Sequence, residues 1–197
     1  MADTKINTKR GRPRRFDMEQ ALDTAQTLFH RHGYDAVSMA MLTEALGINP
    51  PSFYAAFGSK AALFEQVLSR YAADNDLPME QILSAHARVA DGLGALLGAA
   101  AELYARDAEG IGCMLMEAAR DAGESRLCET ARRLRAESRQ VVRDYVATQH
   151  PDQADMLADF TIITLTGLSS SARGGMGHPA LVHAARIAAK GITAELK

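Results

Sequence analysis

The sequence predicts an all-α protein in two parts, a small amino-terminal unit of short helices followed by a larger body of long ones. Three observations carry that prediction. Apolar residues recur at helical spacing from Asp17 onward, and no alternating run of β-branched residues is long enough for a strand. Capping residues, prolines and glycines mark helix starts and stops along the chain. Near Asn75 the short segments give way to long Ala- and Leu-rich ones. With 197 residues, 47% hydrophobic and 23% charged, the chain has an average globular composition and enough length to bury a substantial core.

Asp17 with Gln20 three residues on forms a capping box, and Leu22, Ala25, Leu28 and Phe29 share one face of a first helix that stops at Gly33. Ser38 caps a short second helix, 39–46, with Met41, Leu42 and Ala45 expected to face inward. Gly47 can take φ > 0 in a sharp turn over 47–49, and Ile48 can plug the angle between the flanking helices. Pro50 and Pro51 open a third helix, because amides in a first turn have no intrahelical partner to lose. Pro51 disfavours an α conformation at Pro50, which leaves open whether Asn49 or Pro50 is the cap. This helix runs to about Phe57, before Gly58-Ser59. A fourth starts near Lys60 and carries Leu63, Phe64, Val67, Leu68 and Tyr71. Two short helices joined by a Gly-containing three-residue turn, with a supporting helix before them, describe a helix-turn-helix.

Helices of the body are expected at 79–89, 93–105, 111–122, 124–148, 153–173 and 179–196, with breaks at Pro78, Gly110 and Gly112, Gly123, Pro151, and the Gly174-Gly175-Met176-Gly177-His178-Pro179 run. The domains read as a basic arm, 1–15, a helix-turn-helix unit, 16–72, and a helical body, 73–197.

A formal net charge of −2 hides an uneven distribution. Residues 1–15 hold Lys5, Lys9, Arg10, Arg12, Arg14 and Arg15 against Asp3, a balance of +5, so the other 182 residues carry −7. A basic arm on an acidic body puts an electrostatic footprint for nucleic acid in one place and repels it elsewhere. Arg10-Gly11-Arg12-Pro13-Arg14 resembles the core of an AT-hook, an extended segment that lies in an A·T minor groove with its guanidinium groups inward.

Other classes are set aside. No run of about 18 apolar residues is free of charge, so no transmembrane helix and no membrane partner is expected. The polar, basic residues 1–15 are not expected to be a secretory signal. Cys113 and Cys128 are too few and too far apart for a zinc site or a disulfide framework, so no metal or cofactor and a reducing cytoplasm are expected. No Walker lysine follows a Gly-x-x-x-x-Gly run, no His-Glu-x-x-His occurs, and Gly167-Leu168-Ser169-Ser170-Ser171 lacks the closing Gly of a nucleophile elbow. An enzyme is not expected.

From Arg14 to Phe64 the residues fall into a dense pattern: Arg15-Phe16-Asp17, Ala21-Leu22, Leu28-Phe29, Gly33-Tyr34, Ser38, Leu42, Ala45-Leu46-Gly47-Ile48-Asn49, Ser52-Phe53-Tyr54-Ala55-Ala56-Phe57, Gly58-Ser59-Lys60 and Leu63-Phe64. In this register the sequence resembles the TetR family of bacterial transcriptional regulators. Gly112-Cys113-Met114-Leu115 with Glu117-Ala118-Ala119, and Gly167-Leu168 with Ala172-Arg173-Gly174-Gly175 and Leu181, resemble segments of one branch more loosely. The resemblance implies a homodimeric regulator, a repressor that binds a palindromic double-stranded DNA operator and is released by a small-molecule effector held in the helical body. The alternative is an architectural DNA-binding protein without ligand-regulated release, which would show only a small ratio of specific to random binding.

By that resemblance the third helix enters the major groove, Tyr54 and Lys60 contact the DNA backbone, and Phe53 and Phe57 are core. An ammonium beside a helix amino terminus also suits an oxyanion on physical grounds, as does the hydroxyl of Ser38 at another helix start. Many relatives carry a basic or small residue followed by Gly or Ala where this chain has Pro50-Pro51. The prolines cannot donate backbone hydrogen bonds to phosphate, but their rings can touch a thymine methyl. No Arg or Lys lies between Ile48 and Phe57, so bidentate reading of guanine by this helix is unavailable. Recognition is expected to rest on Asn49, Pro50, Pro51 and Ser52, and on minor-groove contacts of Arg10, Arg12 and Arg14.

In the body, Leu157, Thr161, Thr164, Leu165, Leu168 and Ala172, with Leu181, Ala185 and Ala188, are expected at a helix-pair interface of the homodimer, where small residues permit close approach. Tyr71, His86, Leu97, Tyr104, Met114, Met116, Tyr145 and Phe160 are candidates to line an effector pocket. Cys113, with no basic residue near it in sequence, reads as a small buried hydrophobe.

Overall fold

The computed structural model describes residues 17–74, 77–106, 112–120 and 126–197, and every regular element among them is helical. The arm, with Arg10, Arg12 and Arg14, lies outside the described residues. Four helices come first: α1 (Met18–His32), α2 (Met39–Leu46), α3 (Pro50–Phe57) and α4 (Lys60–Asp74). Asp17 caps α1 by accepting from the amides of Glu19 and Gln20. Phe29, Val37, Leu42, Phe53, Leu63 and Phe64 are buried between these helices, with the Phe29 and Phe64 rings edge to face at 4.9 Å. Arg70 ties α4 to α1 through the carboxylates of Glu19 and Asp23. Both acids are exposed, so the pairs orient more than they stabilise.

The body comprises α5 (Met79–Ser84), α6 (Val89–Tyr104), α7 (Met114–Arg120), α8 (Arg126–Ala147), a 3-10 turn (Pro151–Gln153), α9 (Ala154–Arg173) and α10 (His178–Glu195). At its centre is α6, which packs against α5, α9 and α10. Its Leu93, Leu96, Leu97, Ala100 and Ala101 are fully buried, as expected of a helix apolar on several sides. Its small residues bring α10 close: a Cβ on Gly94 would sit 3.3 Å from the Ala189 methyl. The long α4 also touches α7 and α8, so it belongs to both halves.

Three boundaries depart from the sequence reading, and at the first two a tertiary contact overrides helical spacing. The helix expected over 79–89 ends at Ser84, and the next begins at Val89 rather than at Leu93. Between them the carbonyls of His86 and Arg88 each accept from the Tyr145 hydroxyl at 3.1 Å, and that of Ala87 accepts from the Gln149 amide at 2.6 Å. The Tyr145 hydroxyl of α8 and the Gln149 amide just beyond it thus bind the carbonyls of the segment that separates α5 from α6. The helix expected from residue 111 starts at Met114, because Gly112 adopts φ +67° and the Cys113 amide donates to Ser169 Oγ at 2.8 Å. Gln153 belongs to the 3-10 turn rather than to α9. Ala45, expected inward, is exposed, and Met39 and Leu46 pack against the core instead.

Candidate DNA-reading face and body cavity

Each helix of the α2–turn–α3 unit is started by a side-chain cap. Ser38 Oγ accepts from the Met41 amide at 3.2 Å, and Asn49 Oδ1 accepts from the Ser52 amide at 2.9 Å. Asn49 is therefore the cap of α3, with Pro50 and Pro51 in its first turn. Gly47, at φ +64°, makes the αL turn between the helices, where its amide reaches the Thr43 and Glu44 carbonyls. Phe53 and Phe57 lie one turn apart on α3 and are buried, which orients the helix. Pro50, Pro51, Ser52, Tyr54 and Ala55 are left exposed on the outer face, Tyr54 at 52%.

Lys60, at the first turn of α4, sits with Nζ 4.2 Å above the centre of the Tyr34 ring. Burial lowers its pKa and the Asp35 carboxylate opposes that shift. Tyr34 titrates above the usual range, through burial first and Asp35 second. Sequence reasoning noted Tyr34 only as the end of α1, and no local pattern marks it as the platform for a lysine on another helix. Ser59 caps α4 by accepting from the Ala62 amide at 3.0 Å.

In the body, a cavity of about 360 Å³ is lined by residues of α4, α5, α6, α7, α8 and α9. Of the eight pocket candidates, the structure brings Tyr71, Tyr104 and Met116 together on its wall, alongside Leu103, Cys113, Leu134 and Leu165. Cys113 and Tyr104 both titrate upward because of burial. Among the lining residues the charged ones are Glu80 and Glu137, and none is basic. The other five candidates lie elsewhere. Leu97 and Met114 are buried outside the lining, His86 lies in the segment after α5, and Tyr145 is held by the carbonyls of that segment. Phe160 is 40% exposed on α9.

The interface candidates need a similar correction. Leu157, Thr161, Leu165, Leu168, Ala172, Leu181 and Ala185 are buried within the protomer, and Thr164 and Ala188 are half-buried. The exposed apolar stripe lies one residue round each helix: Met156, Phe160, Ile163 and Gly167 on α9, and Ala180, Ala184, Ile187 and Gly191 on α10. Both stripes are apolar or small, so periodicity alone does not say which one meets the protomer's own core. Among the described residues no group of His, Cys, Asp and Glu is placed to hold a metal ion, and no helix is long and apolar enough to cross a membrane.

A supported helix-turn-helix joined to a cavity-bearing helical body defines a DNA-binding regulator architecture. The sequence model described as bacterial regulatory proteins, tetR family, matches residues 21–67. The HTH-type transcriptional repressor BdcR of Escherichia coli is 40% identical over 182 residues, 92% of each chain. The HTH-type transcriptional repressor ComR of the same organism is 31% identical, covering 86% of each. Among solved structures, the TetR family regulator CifR, as a cysteine mutant complexed with a 26 bp double-strand operator DNA, superimposes with a TM-score of 0.81 at 30% identity, over 91% of this chain and 98% of that one. The chain belongs to the TetR family of bacterial regulatory proteins. Members of that family are transcriptional regulators rather than enzymes.

Proposed function

We propose that this protein is a cytoplasmic homodimer that represses transcription by binding a palindromic double-stranded DNA operator and leaves it when a small molecule enters the body cavity. The observation that carries the reading is the outer face of α3, where Pro50, Pro51, Ser52 and Tyr54 are exposed while Phe53 and Phe57 anchor the helix from behind. That CifR, 30% identical to this chain, forms a complex with double-strand operator DNA supports operator binding. Residues 16–72 act as the reader and 73–197 as the sensing and dimerising body, with residues 1–15 as an arm in the flanking minor groove. The exposed stripes on α9 and α10 form the two-fold interface, since a symmetric dimer needs one patch that can face itself. The cavity wall disfavours an anionic effector, because an anion would be desolvated there beside Glu80 and Glu137 without a basic partner.

Selection of duplexes from a random pool tests the reading. The expected product is a palindrome with half-sites about one helical turn or a multiple apart. Neutralising roughly four phosphates per protomer gives a log affinity against log salt slope of about −7, and removing residues 1–14 lowers both the slope and any A·T preference in the flank. A small ratio of selected to random binding refutes the operator reading.

A further inference from the structure

One polar circuit joins the reader to the body. His30, in the last turn of α1, meets the Gly112 carbonyl through Nε2 at 3.0 Å, and its own carbonyl accepts from Arg173 Nη2 of α9 at 2.8 Å. Because a carbonyl only accepts, Nε2 carries the proton. Arg173 Nε lies 3.8 Å from Glu117 Oε2 on α7. Glu117 Oε1 accepts from Ser169 Oγ at 3.2 Å, and Ser169 Oγ accepts from the Cys113 amide at 2.8 Å, which returns to Gly112. Three stretches of chain far apart in sequence thus close one ring.

The ring shares its edge with the cavity. Tyr71 and Cys113 line the cavity, and the Tyr71 ring stands edge-on to the His30 imidazole at 5.6 Å. Gly112 has no slack toward α9: a Cβ there would lie 2.6 Å from the Ser169 carbonyl oxygen. An occupant pressing on Tyr71 and Cys113 therefore moves the 112–113 backbone away from α9, or moves His30 itself.

We infer that this ring is the joint through which the cavity sets the placement of the reader, and that His30 and Arg173 are positioning residues for operator binding. The inference rests on the proposed role of the cavity as the effector site. With the ring closed, α1 is held to α7 and α9. With the Gly112–His30 bond broken, the reader is free to leave the half-site spacing. Cooperative polar rings of this kind supply the discrete arrangements that coupling requires.

The test replaces the unidentified effector with a built-in occupant. Leu134 lines the cavity from α8, and the chain contains no tryptophan, so Leu134→Trp both fills the space and reports on it by fluorescence. In the parent background, Leu134→Trp is expected to weaken binding to the selected operator by about five-fold or more, the low end of typical couplings. In a His30→Ala background the same substitution is expected to change affinity less than about two-fold, and His30→Gln, which keeps an N–H donor, restores part of the response. An undiminished effect of Leu134→Trp in His30→Ala overturns the joint and leaves the cavity's role standing. A buried indole, shown by blue-shifted emission, with unchanged affinity in the parent overturns both. If circular dichroism shows that Leu134→Trp does not fold, Leu103→Phe fills the same cavity and carries the comparison.

Discussion

Replacing Gly112 by Ala attacks the segment on which the cavity wall and the reader contact both depend. Three costs follow from its surroundings. Its φ of +67° is left-handed, which costs an L side chain about 1–2 kcal/mol. The added Cβ would lie 2.6 Å from the Ser169 carbonyl oxygen and 2.8 Å from Ser169 Oγ, and a backbone neighbour cannot step aside by changing rotamer. The segment must shift, lengthening the 2.8 Å bond from the Cys113 amide to Ser169 Oγ, and a buried amide left without its partner costs about 1–3 kcal/mol. Together these give about 2–5 kcal/mol, a large part of the stability of an ordinary domain. The internal control is Gly98→Ala in α6, where a Cβ meets nothing within 4 Å and where Ala is favoured over Gly by about 0.5–1 kcal/mol. Urea unfolding followed by far-UV circular dichroism, at one protomer concentration, measures both. A loss below about 1 kcal/mol for Gly112→Ala, or equal shifts for the two variants, would refute the packing argument.

Two further predictions use the rest of the body. Phe160→Glu and Ile163→Glu, on the exposed stripe of α9, are expected to convert the dimer to a folded monomer in sedimentation, whereas Leu165→Ala, inside the protomer, costs about 2–5 kcal/mol of stability; persistent dimers in both Glu variants would move the interface elsewhere. Burial raises the Cys113 pKa above its ordinary value near 9, so the folded thiol keeps its proton after the unfolded one has lost it. That contribution is intact below the ordinary value and fades as pH rises through the folded one, by up to about 1.4 kcal/mol per pH unit. Cys113→Ala should flatten the fall in urea midpoint between pH 7 and 9.5, and an unchanged fall would show that the thiol is not held neutral by the fold.

The reader was legible because its signals are local. Asp17, Ser38, Gly47 and the Pro50-Pro51 pair each act within one turn of themselves, and the bounds of α2 and α3 follow from them. The body was less legible because its decisive contacts span the chain. Nothing near His86 in sequence announces that Tyr145 and Gln149 will take the carbonyls of the 86–88 segment, and nothing near His30 announces Gly112 or Arg173. The residues expected at the α9 and α10 interface are mostly buried within the protomer for a different reason. When a helix is buried on one side against its own protomer and presents a second apolar side, sequence periodicity finds two acceptable faces one residue apart.

The reading face also constrains how recognition is divided. The side-chain oxygens of Ser38 and Asn49 are occupied by helix amides, and Lys60 is stacked on Tyr34, so these residues fix helix ends and a local positive charge before they can touch DNA. On the proposed reading α3 then offers base edges two proline rings and the Ser52 hydroxyl, with Tyr54 toward the backbone and no Arg or Lys among them. A face of that kind discriminates through methyl contact and shape, and supplies little of the long-range attraction that brings a protein to a polyanion. The attraction has to come from elsewhere in the chain, and on the proposed reading residues 1–15, with a balance of +5, supply it. The other 182 residues, reader and body together, sum to −7, so on the proposed reading the arm is the part of the chain that leads the approach to DNA.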